Sequence, residues 1–250
     1  MPGRDTNVGA KRGREARAAL GLAVDEPVGC VLTRVERDLA IPVVIAALPE
    51  GIAGCCWRDG GRAVLWVNGT QPAVRQRFTL AHELGHLRCG HEERMAVDTF
   101  ATLAGRTTDS REVQANAFAA ELLAPAAGVR AMVEGEPTLE DVVRIAARYG
   151  ISAIAALYRL TTLGLTRRRA TLEREIDDKL HEAVRERLGL APVADAIAAV
   201  DRDALPRLSP ALAGSALAAI AARRASVPDA ARAAGCDPRE LAEGAAAIGV

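Results

Sequence analysis

Two histidines four residues apart, with a glutamate directly after the first, stand in the stretch Arg77 to Leu87 as His82-Glu83-Leu84-Gly85-His86. The chain has only four histidines, so this pair concentrates half of its imidazole in five positions. On a helix, positions i and i+4 share a face. His82 and His86 can therefore present two ring nitrogens to one ion, while Glu83, about 100° round the helix, flanks it. Zn²⁺ accepts histidine nitrogen readily and, with three protein ligands, keeps a fourth position for a water whose pKa it lowers to about 7. Glu83 is then the candidate general base for that water. Zinc is the expected occupant, and manganese or another first-row divalent ion suits the same donors. Gly85 costs helix stability, and between two histidines its missing side chain would admit a second helix at close range.

A catalytic site of this kind needs a third ligand. Glu112, at the start of a helix running from Arg111 to about Ala124, is the choice, a loop and a returning helix away from His86. Asn116 lies one turn beyond it on the same face, where it could orient a histidine through the ring's other nitrogen. Glu112 has an ordinary reading of equal standing. A first-turn carboxylate interacts favourably with the helix dipole, or closes a capping box with Asp109. His91 could line the cleft or stabilise the tetrahedral intermediate, but an exposed place past the end of the motif helix is favoured. Tyr149, Tyr158 and Arg159 are further oxyanion candidates, with no choice made among them.

Several elements must hold these residues. Residues 1–14 are small, polar and basic without periodicity, and are expected to form a disordered leader. Val28 to Leu39 has a helical pattern. Pro42 to Leu48, Ile52 to Trp57 and Ala63 to Val67 read as strands with a turn at Asp59-Gly60-Gly61, so a small sheet precedes the motif helix. Val64 to Val67 could be an edge strand that pairs with an extended substrate or an interior strand. Pro72 suits the start of the motif helix and Gly90 its end. Arg94 to Thr108 yields no clear element. Thr138 to Arg148 and Ala153 to Leu163 form a helical pair around Gly150, with Ser152 as a cap.

Half of the chain is hydrophobic, enough for a substantial core. Lys plus Arg and Asp plus Glu are equal at 32 each, so no global field draws in nucleic acid or an anionic membrane. No apolar run reaches the roughly 20 residues of a membrane span, and the charged N-terminus lacks a signal-peptide core. Five cysteines, with Cys55 and Cys56 adjacent, do not make a disulfide framework. A cytoplasmic location is expected.

The segments Phe78 to His86 and Glu112 to Pro125 together resemble the ImmA/IrrE family of bacterial metallopeptidases. The likeness extends through Ile151-Ser152 and Tyr158-Arg159-Leu160 to Gly164-Leu165, covering about residues 25–165. It implies an α+β, mostly helical fold in which a small sheet packs on a zincin-like HExxH helix. It also implies that His82, His86 and Glu112 are metal ligands and Glu83 the catalytic glutamate of a zinc endopeptidase. The implied substrate is a helix-turn-helix repressor, whose cleavage derepresses phage, mobile-element or stress genes. Ala124 departs from the methionine frequent in the family, a change of packing only.

The expected organisation is a leader over 1–14, a metallopeptidase domain over 15–165 and a helical C-terminal module over 166–250. In that module Leu172, Ile176, Leu180 and Val184 recur every fourth residue, an amphipathic stripe for packing or a partner. Val227 to Ala234, Gly235, Asp237 and the helix from Pro238 read as a helix-turn-helix. Arg232 and Arg239 there are outnumbered by Asp229, Asp237, Glu240 and Glu243, which is poor for phosphate contact. Protein binding is therefore expected ahead of direct nucleic-acid binding, with substrate docking, dimerisation or covering of the cleft as its roles. The alternative function is a non-proteolytic DNA- or protein-binding regulator with a structural metal site.

Overall fold

The structure, a computed structural model, describes residues 3–59, 62–91, 95–99, 107–191, 197, 200, 207–234 and 238–247. It is α+β and mostly helical. Strands β1 (Val43–Ala46), β2 (Ile52–Asp59), β3 (Arg62–Asn68) and β4 (Met95–Thr99) form one sheet in the order β1-β3-β2-β4. β1 runs parallel to β3, and β2 is antiparallel to both β3 and β4. Val64 to Val67 is thus interior, between β1 and β2, which removes it as a free edge for a substrate. β4 falls inside the stretch that gave no clear element; five residues are too few for alternation to stand out.

Helix α3 (Ala73–Cys89) lies against β2 and β3 and carries the motif. It begins after Pro72 and ends at Gly90, whose φ of 75° is left-handed, a conformation glycine adopts without steric cost. Leu80, Ala81 and Leu84 are buried in the main core with Val43, Ile45, Leu65 and Val67. Arg77 is 2% exposed and donates to the carbonyls of Gly150, Gly29 and Tyr149, tying the first turns of α3 to two distant loops. The bonds to Tyr149 and Gly150 satisfy carbonyls of buried residues, where an unpaired acceptor is costly.

Helix α4 (Ser110–Leu123) crosses α3 at Gly85. A Cβ on Gly85 would stand 3.1 Å from both Cα and the carbonyl oxygen of Ala115 and 3.2 Å from Cβ of Phe118. The close approach expected from that glycine is therefore present. Gly85→Leu should push the two helices apart and destabilise the fold by about 1–3 kcal/mol. A thermal melt would read this as a lowered midpoint, and an unchanged midpoint would refute the packing role.

The expected disordered leader is instead helical. Helix α1 spans Arg4–Ala19 and packs along α4. A Cβ on Gly9 would lie 2.0 Å from the carbonyl oxygen of Gln114, and one on Gly13 would lie 2.8 Å from Cβ of Glu121. The contact face is built of Gly9, Gly13 and Ala16, so it has the period of a helix without the hydrophobicity that would reveal it. Arg17 completes the join by donating to the carbonyls of Leu122 and Ala23, each at 2.8 Å.

The helix expected over Val28 to Leu39 is a single α-turn, α2 (Val31–Thr33), continued by a π-turn over Arg34–Asp38. After α4 comes a short helix not foreseen, α5 (Ala126–Ala131), and then the expected pair α6 (Leu139–Tyr149) and α7 (Ala153–Thr162). Thr138 and Asp141 form a capping box at α6, and Ser152 caps α7.

The stripe from Leu172 to Val184 is not one helix. Helix α8 (Arg169–Asp177) stops, Lys179 takes a left-handed φ of 59°, and α9 (Leu180–Arg187) starts in a new direction. Leu172 and Ile176 join the main core, whereas Leu180 is 49% exposed. Packing therefore does not divide at residue 165. A separate small core contains Ala216, Ala230, Ala231 and Leu241, from α10 (Pro210–Ala221), α11 (Val227–Ala234) and α12 (Pro238–Ala247). The helix-turn-helix residues Gly235 and Asp237 lie outside the described residues. Arg207 links this region to the sheet through its backbone pairing with Ile45 and its ion pair with Glu36.

Candidate metal centre

His82 and His86 project from one face of α3, as their spacing predicts, and Glu112 meets them from the first turn of α4. Nε2 of His82 is 3.0 Å from Nε2 of His86. Glu112 lies 3.2 Å from His82 through Oε2 and 3.5 Å from His86 through Oε1. The capping box imagined for Glu112 does not form, because Asp109 accepts from the backbone N–H of Arg111 instead.

A fourth group was not anticipated. Asp98 on β4 places Oδ2 3.4 Å from Nε2 of His82 and 3.2 Å from Nε2 of His86. One ligand atom from each of His82, His86, Asp98 and Glu112 lies within 4.8 Å of every other. Bonds of about 2.0–2.1 Å to a tetrahedral ion put neighbouring donors about 3.3 Å apart, and the nitrogen–nitrogen and nitrogen–oxygen separations here bracket that value. Oδ2 of Asp98 and Oε2 of Glu112 are buried and face histidine Nε2 atoms at 3.2–3.4 Å, and buried carboxylate oxygens are costly unless a cation meets them. The residues fit a divalent ion.

Charge leads to the same conclusion. Burial works against charging either imidazole, yet contacts with Asp98 and Glu112 outweigh it and raise both His82 and His86 to about 9. Burial likewise opposes ionisation of Asp98 and Glu112, and the hydrogen bonds from the two rings override it and hold both carboxyls below their ordinary values. The buried carboxylates therefore favour positive charge among the donors. A dication replaces that charge when the rings become neutral ligands.

Glu83 is wholly buried beside the cluster, with neither carboxylate oxygen hydrogen-bonded. Burial, then the charge of Asp98, pushes its carboxyl well above the usual range. Gly54 on β2 makes room for it, since a Cβ there would stand 2.5 Å from Oε1 of Glu83. A glycine inside a strand marks such a close approach, a signal present in the sequence but not read.

Outer contacts fix both rings. Oδ1 of Asn116 is 3.0 Å from Nδ1 of His82, so the ring donates there and turns Nε2 to the cluster. His91 is not the exposed residue expected. Gly90 turns the chain so that the His91 N–H donates to the His86 carbonyl at 3.1 Å, and Nδ1 of His91 comes 2.8 Å from Nδ1 of His86. Nε2 of His91 reaches Oε1 of Gln114 at 3.4 Å. Such partners typically change metal affinity by about 10–100-fold. Asn116→Leu should weaken metal binding within that range in a chelator competition; undiminished affinity would show that the contact does not hold the ring.

The remaining oxyanion candidates are engaged elsewhere. Arg159 pairs with buried Glu121 and donates to the Ala124 carbonyl, the Tyr149 hydroxyl donates to the Asp25 carbonyl, and the Tyr158 hydroxyl donates to Glu173. A groove of about 760 Å³ reaches Asn116, on the Nδ1 side of His82, and is lined further by Phe78, Thr79, Ile151 and Tyr158; none of the cluster's own donors lines it.

Among the described residues, no helix is long and apolar enough to cross a membrane. Residues 38–161 match the IrrE N-terminal-like domain family. The chain is also 35% identical over 146 residues to the radiation response metalloprotease IrrE of Deinococcus radiodurans, a match that takes in 50% of this chain and 44% of that protein. The chain thus spans less than half the length of this curated relative. The family segment encloses β1 to β4, the motif helix and the whole cluster, and residues 38–161 thus belong to the IrrE N-terminal-like domain family of ImmA/IrrE-type metallopeptidases.

Proposed function

We propose that the chain is a metal-dependent endopeptidase in which His82, His86 and Glu112 hold a divalent ion and Glu83 is the catalytic base. The observation that carries this reading is the convergence of donors from α3, α4 and β4 beside a buried, unpartnered carboxyl. Zinc suits the two imidazole nitrogens and carboxylate oxygens, and manganese or another first-row ion is compatible with them. When bound, the ion supplies Lewis acidity, polarising a peptide carbonyl and making water acidic. Glu83 accepts the proton of the attacking water on a carboxylate oxygen and returns it to the leaving amine. Asn116 holds the His82 ring and His91 the His86 ring. The groove past Thr79 and Asn116 gives side chains of a substrate segment a place to lie.

The substrate proposed is a helix-turn-helix repressor, with cleavage at one bond derepressing its genes in the cytoplasm. Its support is the family alone; peptide hydrolysis does not itself choose a substrate. The helices from α8 onwards are proposed to dock the protein partner or a second copy and not to bind DNA directly. The test is incubation of the purified chain with the repressor encoded nearest to it, with and without zinc, and mapping of fragments by mass spectrometry. Zinc-dependent cleavage supports the reading; a repressor left intact across metals sends the search to another peptide substrate.

One observation favours a second reading, a non-proteolytic regulator with a structural metal. Asp98 supplies a fourth protein donor, and structural zinc sites are closed by four such donors.

A further inference from the structure

A hydrolytic site needs one position free for water or the substrate carbonyl, and Oδ2 of Asp98, 3.4 and 3.2 Å from the two histidine Nε2 atoms, is placed where it would take that position. We propose that β4 is a built-in substrate mimic, whose Asp98 closes the metal centre as a displaceable fourth ligand until β4 is drawn away from β2. The inference rests on the endopeptidase reading above.

The placement of β4 carries it. β4 runs antiparallel to β2, with Asp98 opposite Gly54 and a register shift between Ile52 and Gly54. Gly54 is the residue that makes room for Glu83, so the mimic pairs with β2 at the point where β2 passes the base. An extended substrate would need this same place, because its backbone must pair with the sheet while one carbonyl reaches the ion. Asp98 sends a carboxylate there in the carbonyl's stead. The carboxylate is 2% exposed, and its neighbours are the Nε2 atoms of His82 and His86, 3.4 and 3.2 Å from Oδ2, and the carboxyl of Glu83. Glu83 is also left with nothing to act on, since an acidic side chain occupies the space from which it would draw a proton.

The donors differ in how they are held. His82 and His86 share a helix locked by Arg77, and Glu112 sits on a helix clamped between α1 and α3. Asp98 is on a strand of five residues at the edge of the sheet, and among the described residues its partner within the sheet is β2. Short edge pairing is the cheapest contact of the four to break. A partner that pairs with β2 in place of β4, or that binds β4 itself, would open the site.

The test loads the full-length chain, Asp98→Ala and Asp98→Asn with Co²⁺, whose visible absorption reports coordination, and titrates acetohydroxamate as a chelating carbonyl mimic. All three proteins should bind one equivalent of Co²⁺. The wild-type spectrum should resist the hydroxamate, while both variants respond at concentrations lower by about tenfold or more, the scale on which a carboxylate partner moves metal-site affinity. Asp98→Asn keeps the size of the side chain, so a folding failure of Asp98→Ala leaves the comparison intact. Equal responses in wild type and variants would overturn the mimic and leave the endopeptidase reading standing. Loss of Co²⁺ from both variants would also overturn it, making Asp98 a required ligand of a structural site. Absence of Co²⁺ binding by the wild type would overturn both readings.

Discussion

Glu83→Gln is expected to retain one metal ion per chain while turnover falls by roughly 10²–10⁴-fold, the usual contribution of a positioned general base. The substitution removes the proton acceptor and leaves His82, His86 and Glu112 in place. Glutamine has the shape of glutamate, and Gly54 leaves the space it needs. In the metal-free site, burial and Asp98 favour the protonated carboxyl; a dication close by acts in the opposite sense and restores the base. Initial rates of repressor cleavage, read beside the metal content of each protein, separate the two effects. Wild-type turnover in Glu83→Gln would show that the base is another group.

His86→Ala should have a larger effect on the metal than any change in the surrounding shell. It deletes a donor outright, leaves Asp98 and Glu112 facing one imidazole, and removes the partner of Nδ1 of His91. Loss of outer partners alone costs about 10–100-fold in affinity, so a reduction beyond about 100-fold is expected here, with His82→Ala behaving alike. Metal content after gel filtration, and competition with a chelator of known affinity, give the number. Retention of stoichiometric metal at wild-type affinity would remove His86 from the ligand set.

Much of the site was legible because its chemistry is written in local spacing. The i, i+4 histidines, Pro72 before the helix, Gly90 after it and Asn116 one turn past Glu112 all act within a few residues of one another. The caps at Ser152 and Thr138 are local in the same way. Asp98 escaped because its role depends on which strand β4 pairs with, a long-range choice that a five-residue strand does not encode in its own pattern. His91 was misread because a residue past a helix end is ordinarily exposed; the left-handed Gly90 turns the chain back onto His86. Helix α1 was missed for another reason. Its buried face is glycine and alanine, and close backbone packing draws on van der Waals contact that hydrophobic periodicity does not register. The break at Lys179 is equally silent, since neither glycine nor proline marks it, and only the divergence of buried Ile176 from exposed Leu180 reveals it.

The central claim is that a divalent ion sits among His82, His86 and Glu112 beside Glu83. Diffraction from crystals of the zinc-loaded full-length chain, recorded on either side of the zinc absorption edge, tests it most directly. The expected map holds one anomalous peak per chain, about 2.0–2.2 Å from Nε2 of each histidine and from a carboxylate oxygen of Glu112. No peak at that position, or a peak bounded by other side chains such as the cysteines, would contradict it.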